Sequence, residues 1–365
     1  MNSCVFLHRE FVLIAVTAGL LSIPLASNVL AQAGTADMAE CLGIAGDQER
    51  LACYDRVSGR TAEASPVAGT SRATAASATG DSGVLTAPAT TASTVTAPLS
   101  LLDTAWRFNP DSDRYTIALY RANYIQFARY TDRVNDHPFS PLYNAAGIGD
   151  ENLDSTEAHF QLSFKSRLWT TDDRQFGLWV AYTQQSQWQS YNEDISRPFR
   201  ETNFMPEVLM SYRPDISLGG FHWRLFNLGY AHQSNGRPDP ISRSWDRIIG
   251  EFGIENGNFA LLLRPWYRIE EDDQEDDNPD ITDYMGYGDI TGIYKWNQHS
   301  FSLMVRGNID KEKGAAQLTW TTPPLLGPLR GYVQGFTGYG DSMIDYNWRQ
   351  DIIGFGVTLN DLLDR

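Results

Sequence analysis

Long apolar runs are what this sequence of 365 residues most conspicuously lacks. Beyond its N-terminal segment there is no apolar stretch of roughly 18 residues or more, so no helix in the body of the chain can cross a bilayer. Basic residues are also in deficit. Lys and Arg number 29 against 45 Asp and Glu, a formal net charge of -16. General nucleic-acid binding needs a basic footprint, and that partner is excluded. Cysteine is scarce, with three residues in all. Aromatic residues are not: they make up 12% of the chain, which suits the interface belts of a membrane-embedded protein.

The N-terminus is organised differently from the rest. "HREFVLIAVTAGLLSIPLASNVLAQA" has a charged flank, an apolar core and a closing Ala31-Gln32-Ala33. It reads as a secretory signal peptide over 1–33, cut after Ala33. Cys4 would leave with it, and two cysteines make a poor metal site. In an oxidising compartment Cys41 and Cys53 are expected to pair within a small segment over 34–60. Closing so short a loop contributes about 3 kcal/mol by the chain-entropy account. Residues 61–100 are Ala, Thr, Ser, Gly and Pro with few large apolar side chains, the composition of a flexible linker. The structured body is expected over 101–365.

That body alternates with period two. In "STEAHFQLSFKSRLW", Ala158, Phe160, Leu162, Phe164 and Leu168 share one face. Glu157, His159, Gln161, Ser163, Lys165 and Arg167 share the other. "FALLLRPWYRIE" and "HSFSLMVRGN" repeat the pattern. Alternation alone fits a soluble sandwich or a membrane barrel, which differ in the face shown outward. Strand lengths of about ten residues, an export signal and the closing strand "DIIGFGVTLNDLL" favour the barrel. The predicted fold is all-β, a twelve-stranded antiparallel transmembrane barrel. Long loops near 131–154, 190–204, 235–243, 271–280 and 341–350 fall on one side, with short turns on the other.

One hairpin, "YAHQSNGRPDPISRSWDR" over 230–247, carries hydrolase-type residues. His232 and Ser234 share the apolar, lipid-facing side with Tyr230. Pairing Ser234 with Ser244 across the loop pairs His232 with Asp246, close enough for a hydrogen bond. Polar groups on a lipid face are costly and call for a reason. A nucleophile, base and orienting carboxylate there would act on an ester within the lipid layer. A His-x-Ser on a strand can also mean nothing, and alternation alone leaves both readings open.

At these residues the chain resembles the outer-membrane phospholipase A family, calcium-dependent enzymes on twelve-stranded barrels. The likeness runs through "SRPFRETN", "YAHQSNGRPDPISRSWDR", "ENGNF", "RPWYRI", "DDNPDITDYMGY" and "GYGDSMIDYN". It implies His232 as base, Ser234 as nucleophile and the Gly236 amide in an oxyanion hole. It also implies Ca2+ held by the Arg237 carbonyl, the Ser242 hydroxyl, Asp277 and, from a second subunit, the Ser196 carbonyl. Phospholipids and lysophospholipids would be the substrates, the outer membrane the location and a homodimer the active form. Position 246 departs from the family's best-known pattern, which has Asn where this chain has Asp. Without the resemblance, "EEDDQEDDNPD" reads as a solvated acidic loop and "SNGRPDPIS" as a turn. Gln184, on the apolar face of "FGLWVAYTQQSQW", is a second hint of dimerisation, because an amide facing lipid lacks water to satisfy it. A non-enzymatic barrel, a channel or a silent relative, is the competing reading, and a channel requires an open lumen.

Overall fold

The computed structural model describes residues 100–139, 142, 152–272 and 276–363, with a few residues between Cys41 and Cys53. The signal-peptide reading and nearly all of the linker lie outside the described residues. Two units are distinguished, Met1–Thr90 and Thr91–Arg365. In the first, Cys41 and Cys53 are disulfide-bonded, with Cα atoms 5.7 Å apart.

The second unit is nearly all β. Its strands are β1 (Thr116–Leu119), β2 (Tyr124–Thr131), β3 (Thr156–Thr170), β4 (Phe176–Trp188), β5 (Phe199–Tyr212), β6 (Ile216–Leu218) and β7 (Phe221–Ser234). They continue as β8 (Ser244–Asn256), β9 (Phe259–Ile269), β10 (Gly288–Trp296), β11 (His299–Asn308), β12 (Lys313–Leu326), β13 (Leu329–Tyr339) and β14 (Arg349–Thr358). Neighbours in sequence pair antiparallel, and β14 closes on β2 with Ile352 opposite Thr131 and Thr358 opposite Tyr124. Two short pieces extend their neighbours: β1 pairs β3 beyond β2, and β6 pairs β7 beyond β5. Counted that way, the fourteen segments form a closed barrel of twelve strands.

Two boundaries differ from expectation. The segment "RYTIALYRANYIQFARYT" over 114–131, which the sequence presents as one continuous first strand, breaks at residues 120–123. There the Asn123 side chain takes the place of the ladder: its Oδ1 accepts from Ser163 N at 2.7 Å, and its Nδ2 donates to Ser163 O at 2.9 Å. The loop expected near 190–204 is shorter, because β5 begins at Phe199 and Glu201 already pairs with Gln187. The other long loops fall on the expected side, opposite the turns at 171–175 and 257–258.

Which face looks outward decides between sandwich and membrane barrel. Glu157, His159, Gln161, Ser163, Lys165 and Arg167 are buried in the lumen, whereas Leu162, Phe164 and Leu168 are about half exposed. This inside-out order is that of a barrel in lipid. Exposed aromatics ring both ends, with Trp169, Phe176 and Trp296 by the short turns and Tyr130, Tyr267 and Tyr287 by the long loops. Such girdles mark membrane interfaces.

The lumen is packed. Buried charges need partners, and several here have them: Arg200 bridges Glu157 (3.1 Å) and Asp345 (2.8 Å), and Arg264 meets Glu251 at 2.6 Å. At the short-turn end, helix α1 (Leu101–Ala105) inserts Leu101 and Leu102, both fully buried, against Trp179 and Leu225. Ser100 caps it, its Oγ accepting from Asp103 N at 2.9 Å, and Asp103 pairs with Arg213 at 2.6 Å. At the long-loop end, helix α2 (Ile281–Met285) buries Ile281 and Met285. A lumenal cavity of about 220 Å³ remains.

Candidate active site at the β7–β8 hairpin

The β7–β8 ladder sets the register: Ser234 lies opposite Ser244, His232 opposite Asp246 and Tyr230 opposite Ile248. These outward positions alternate with a locked inward layer. Gln233 Oε1 accepts from Trp245 Nε1 (3.1 Å) and from Arg247 Nη2 (3.0 Å), and the Arg247 guanidinium lies 3.9 Å over the Trp245 ring. Trp245 is fully buried. Because the inner side chains are fixed, the outer ones project from a rigid pair of strands. That rigidity suits a site whose geometry must be held closely.

On the outer face, His232 Nδ1 lies 2.8 Å from Asp246 Oδ1. Their side chains are 35% and 29% exposed, on the outer face of the barrel and not shut in the lumen. The structure therefore brings His232 and Asp246 together. Ser234 is next on the same face, but its hydroxyl makes no hydrogen bond to His232 or to any other described residue. Such contacts are often long in a free enzyme and tighten only with substrate present.

The loop after β7 is built around Asn235, a buried residue. Its Oδ1 accepts from Arg237 N (3.2 Å) and Arg243 N (3.0 Å), and its Nδ2 donates to Ile241 O at 3.1 Å. Gly236 takes φ +63°, and a Cβ there would sit 2.9 Å from the Phe204 ring. Only glycine meets both conditions without strain. Its backbone N–H has no partner among the described residues. A free amide beside a candidate nucleophile is the chemistry of an oxyanion donor.

A second segment docks on this loop through Asn278, which is fully buried and accepts from Ser244 N at 3.0 Å. It carries Asp277 to the hairpin. Neither the Asp277 carboxylate nor the Ser242 hydroxyl has a hydrogen bond or ion pair among the described residues. Arg237 itself is drawn inward, its Nε 3.5 Å from the buried Glu201 carboxylate. Among the described residues no cluster of His, Cys, Asp or Glu side chains is placed to hold a metal by itself. A cation here would rely on one carboxylate with carbonyl and hydroxyl oxygens, a donor set that suits a hard ion such as calcium. Burial and the neighbouring Asp276 push the Glu271 carboxyl above its ordinary range, with Asp246 and Asp277 adding to the effect. Ser196 stands on the adjacent loop, exposed and left-handed at φ 61°, without a hydrogen bond or ion pair to this segment.

Between residues 102 and 359 the chain matches the family model for phospholipase A1. It belongs to that family. It is 38% identical over 249 residues to the phospholipase A1 of Escherichia coli K12, covering 68% of this chain and 83% of that protein. A Neisseria meningitidis relative is 42% identical over 215 residues, and the chain spans about half of its length, 55%. Among solved structures, the outer membrane phospholipase A of Escherichia coli shares 36% identity with a TM-score of 0.64, covering 71% of this chain and 98% of that one. A Salmonella typhi outer membrane phospholipase, crystallised as a dimer with bound calcium, matches at 36% identity and TM-score 0.64, over 72% and 98% of the two chains.

Three supports of this candidate site carry no assigned role in the sequence reading. Tyr230 donates to Asp246 Oδ1 at 2.6 Å, joining the oxygen that faces His232. Its place two residues before His232 on one face is the available signal. Asn235 and Asn278 are hidden in a turn-rich and an acidic stretch, where composition alone says nothing about which amide is buried.

Proposed function

We propose that the protein is a calcium-dependent outer-membrane phospholipase A that cleaves acyl ester bonds of phospholipids and lysophospholipids. The observation that carries this reading is the His232–Asp246 pair on the lipid-facing side of the barrel, with Ser234 on the same face. A serine hydrolase site facing water would meet soluble esters; this one faces acyl chains.

The side chains have definite roles in this reading. The Ser234 Oγ attacks the acyl carbonyl while His232 Nε2 accepts its proton. Asp246 holds the ring with Nδ1–H toward the carboxylate and stabilises the imidazolium that forms. The Gly236 N–H donates to the oxygen that becomes negative. His232 then returns the proton to the departing lysophospholipid oxygen, and water hydrolyses the acyl-serine by the same route in reverse. Arg237, through its carbonyl, Ser242 and Asp277 would hold the calcium ion, which supplies positive charge near the developing oxyanion. The packed lumen argues against the channel reading.

Release of free fatty acid from detergent-dispersed phospholipid, in the presence of calcium, tests the assignment. Release that stops on chelation is expected. A folded barrel that releases none overturns it.

The active form is proposed to be a homodimer formed on the β3–β4 side, with Ser196 of each subunit completing the other's calcium site. Gln184 lends this less support than its sequence position suggests. Its Oε1 accepts from Tyr182 OH at 3.1 Å and its Nε2 reaches Ser186 Oγ at 3.3 Å, so the amide is partly satisfied within one chain. One N–H and one lone pair remain for a partner. Cross-linking in detergent is expected to trap dimers with calcium and a substrate analogue, and fewer after chelation. Full activity from a monomer would end this view.

A further inference from the structure

We propose that Tyr230 is a positioning residue of the hydrolytic site, its hydroxyl holding the Asp246 carboxylate aimed at His232 on the outward face of the barrel. This rests on the assignment of His232 and Ser234 above.

The geometry is specific. Tyr230 OH lies 2.6 Å from Asp246 Oδ1, and His232 Nδ1 lies 2.8 Å from the same oxygen. Asp246 Oδ2 has no hydrogen bond among the described residues. A carboxylate at the edge of a lipid layer loses the water that would solvate it, and its orientation there depends on the donors the protein supplies. The nearest arginines on these strands do not supply them. Arg247 is buried in the lumen on Gln233, and Arg268 is held by Asp276 and the Pro279 carbonyl. The titratable groups facing Asp246 are His232 and Tyr230 from β7 and Glu271 from the segment after β9, and Glu271 carries the wrong sign to help. Among the described residues, Tyr230 is therefore the neutral donor that can hold the charge without competing with His232 for its proton.

The requirement is tied to aspartate. An asparagine at 246, the residue of the family's best-known pattern, accepts from His232 without carrying a charge and does not need a second donor.

The test compares Tyr230→Phe in the parent and in Asp246→Asn, using fatty-acid release from detergent-dispersed phospholipid with calcium. Phenylalanine keeps the ring on the lipid surface and removes only the hydroxyl. In the parent, kcat at neutral pH is expected to fall about tenfold with KM nearly unchanged. Asp246→Asn is expected to retain substantial activity, and adding Tyr230→Phe to it should cost less than about threefold. Equal losses in both backgrounds or a change confined to KM would each overturn the proposal. Ser234→Ala in the same assay separates the two levels: parent-like activity there would remove the hydrolase assignment itself, whatever Tyr230→Phe does.

Discussion

Ser234→Ala and His232→Ala are each expected to lower fatty-acid release by about 10⁴-fold or more while leaving a folded barrel. The size follows from the roles. Without the hydroxyl no acyl-serine can form, and without the imidazole nothing takes its proton. The retained fold follows from the placement. The Ser234 side chain holds no hydrogen bond among the described residues, and the His232 ring is 35% exposed on the lipid side and bonded to Asp246. Neither belongs to the inner layer of Gln233, Trp245 and Arg247 that locks the hairpin. Circular dichroism and heat-modified gel mobility should match the parent for both variants. Near-normal turnover in folded Ser234→Ala would show that another group is the nucleophile.

Asp277→Ala is expected to have the next largest effect, weakening calcium binding by about 100-fold or more and activity with it at limiting calcium. Asp277 is the single carboxylate in the proposed set, and a hard cation draws most of its binding energy from charge. Because the carboxylate has no other partner among the described residues, truncation removes no structural ion pair there. Asn278, which docks the segment through Ser244 N, is untouched. Calorimetry with calcium alone reads the affinity directly, without relying on turnover. Parent-like binding by Asp277→Ala would place the ion elsewhere, and activity restored at high calcium would support the assigned site.

Much of the architecture is legible in the amino-acid sequence alone. Alternation with period two is a local property, because successive side chains point to opposite sides of a strand wherever that strand lies. Residues 157–168 thus announce one polar and one apolar face, and the length of the strands tips the choice to a barrel. The His232–Asp246 pairing is also legible, since a hairpin fixes register across its own loop. Residue type there names the chemistry, and resemblance over many motifs names the family.

What stays hidden joins positions far apart in the chain. Arg200 meets Asp345 in the lumen, Leu102 N donates to Glu255 at 3.0 Å, and Asn278 accepts from Ser244 N at 3.0 Å. Such contacts depend on closing the barrel, and no local pattern encodes them. The break at Asn123 is invisible for the same reason, as its side chain bonds a partner 40 residues away. Gln184 shows the opposite failure: its position points to an unsatisfied amide, but Tyr182 and Ser186 on the same strand face already partner it. Sequence determined which faces, strand pairs and reactive groups this protein has, because alternation and hairpin register are local. Only the tertiary structure decided how those groups are held, because their supports converge from strands and loops that meet once the barrel closes.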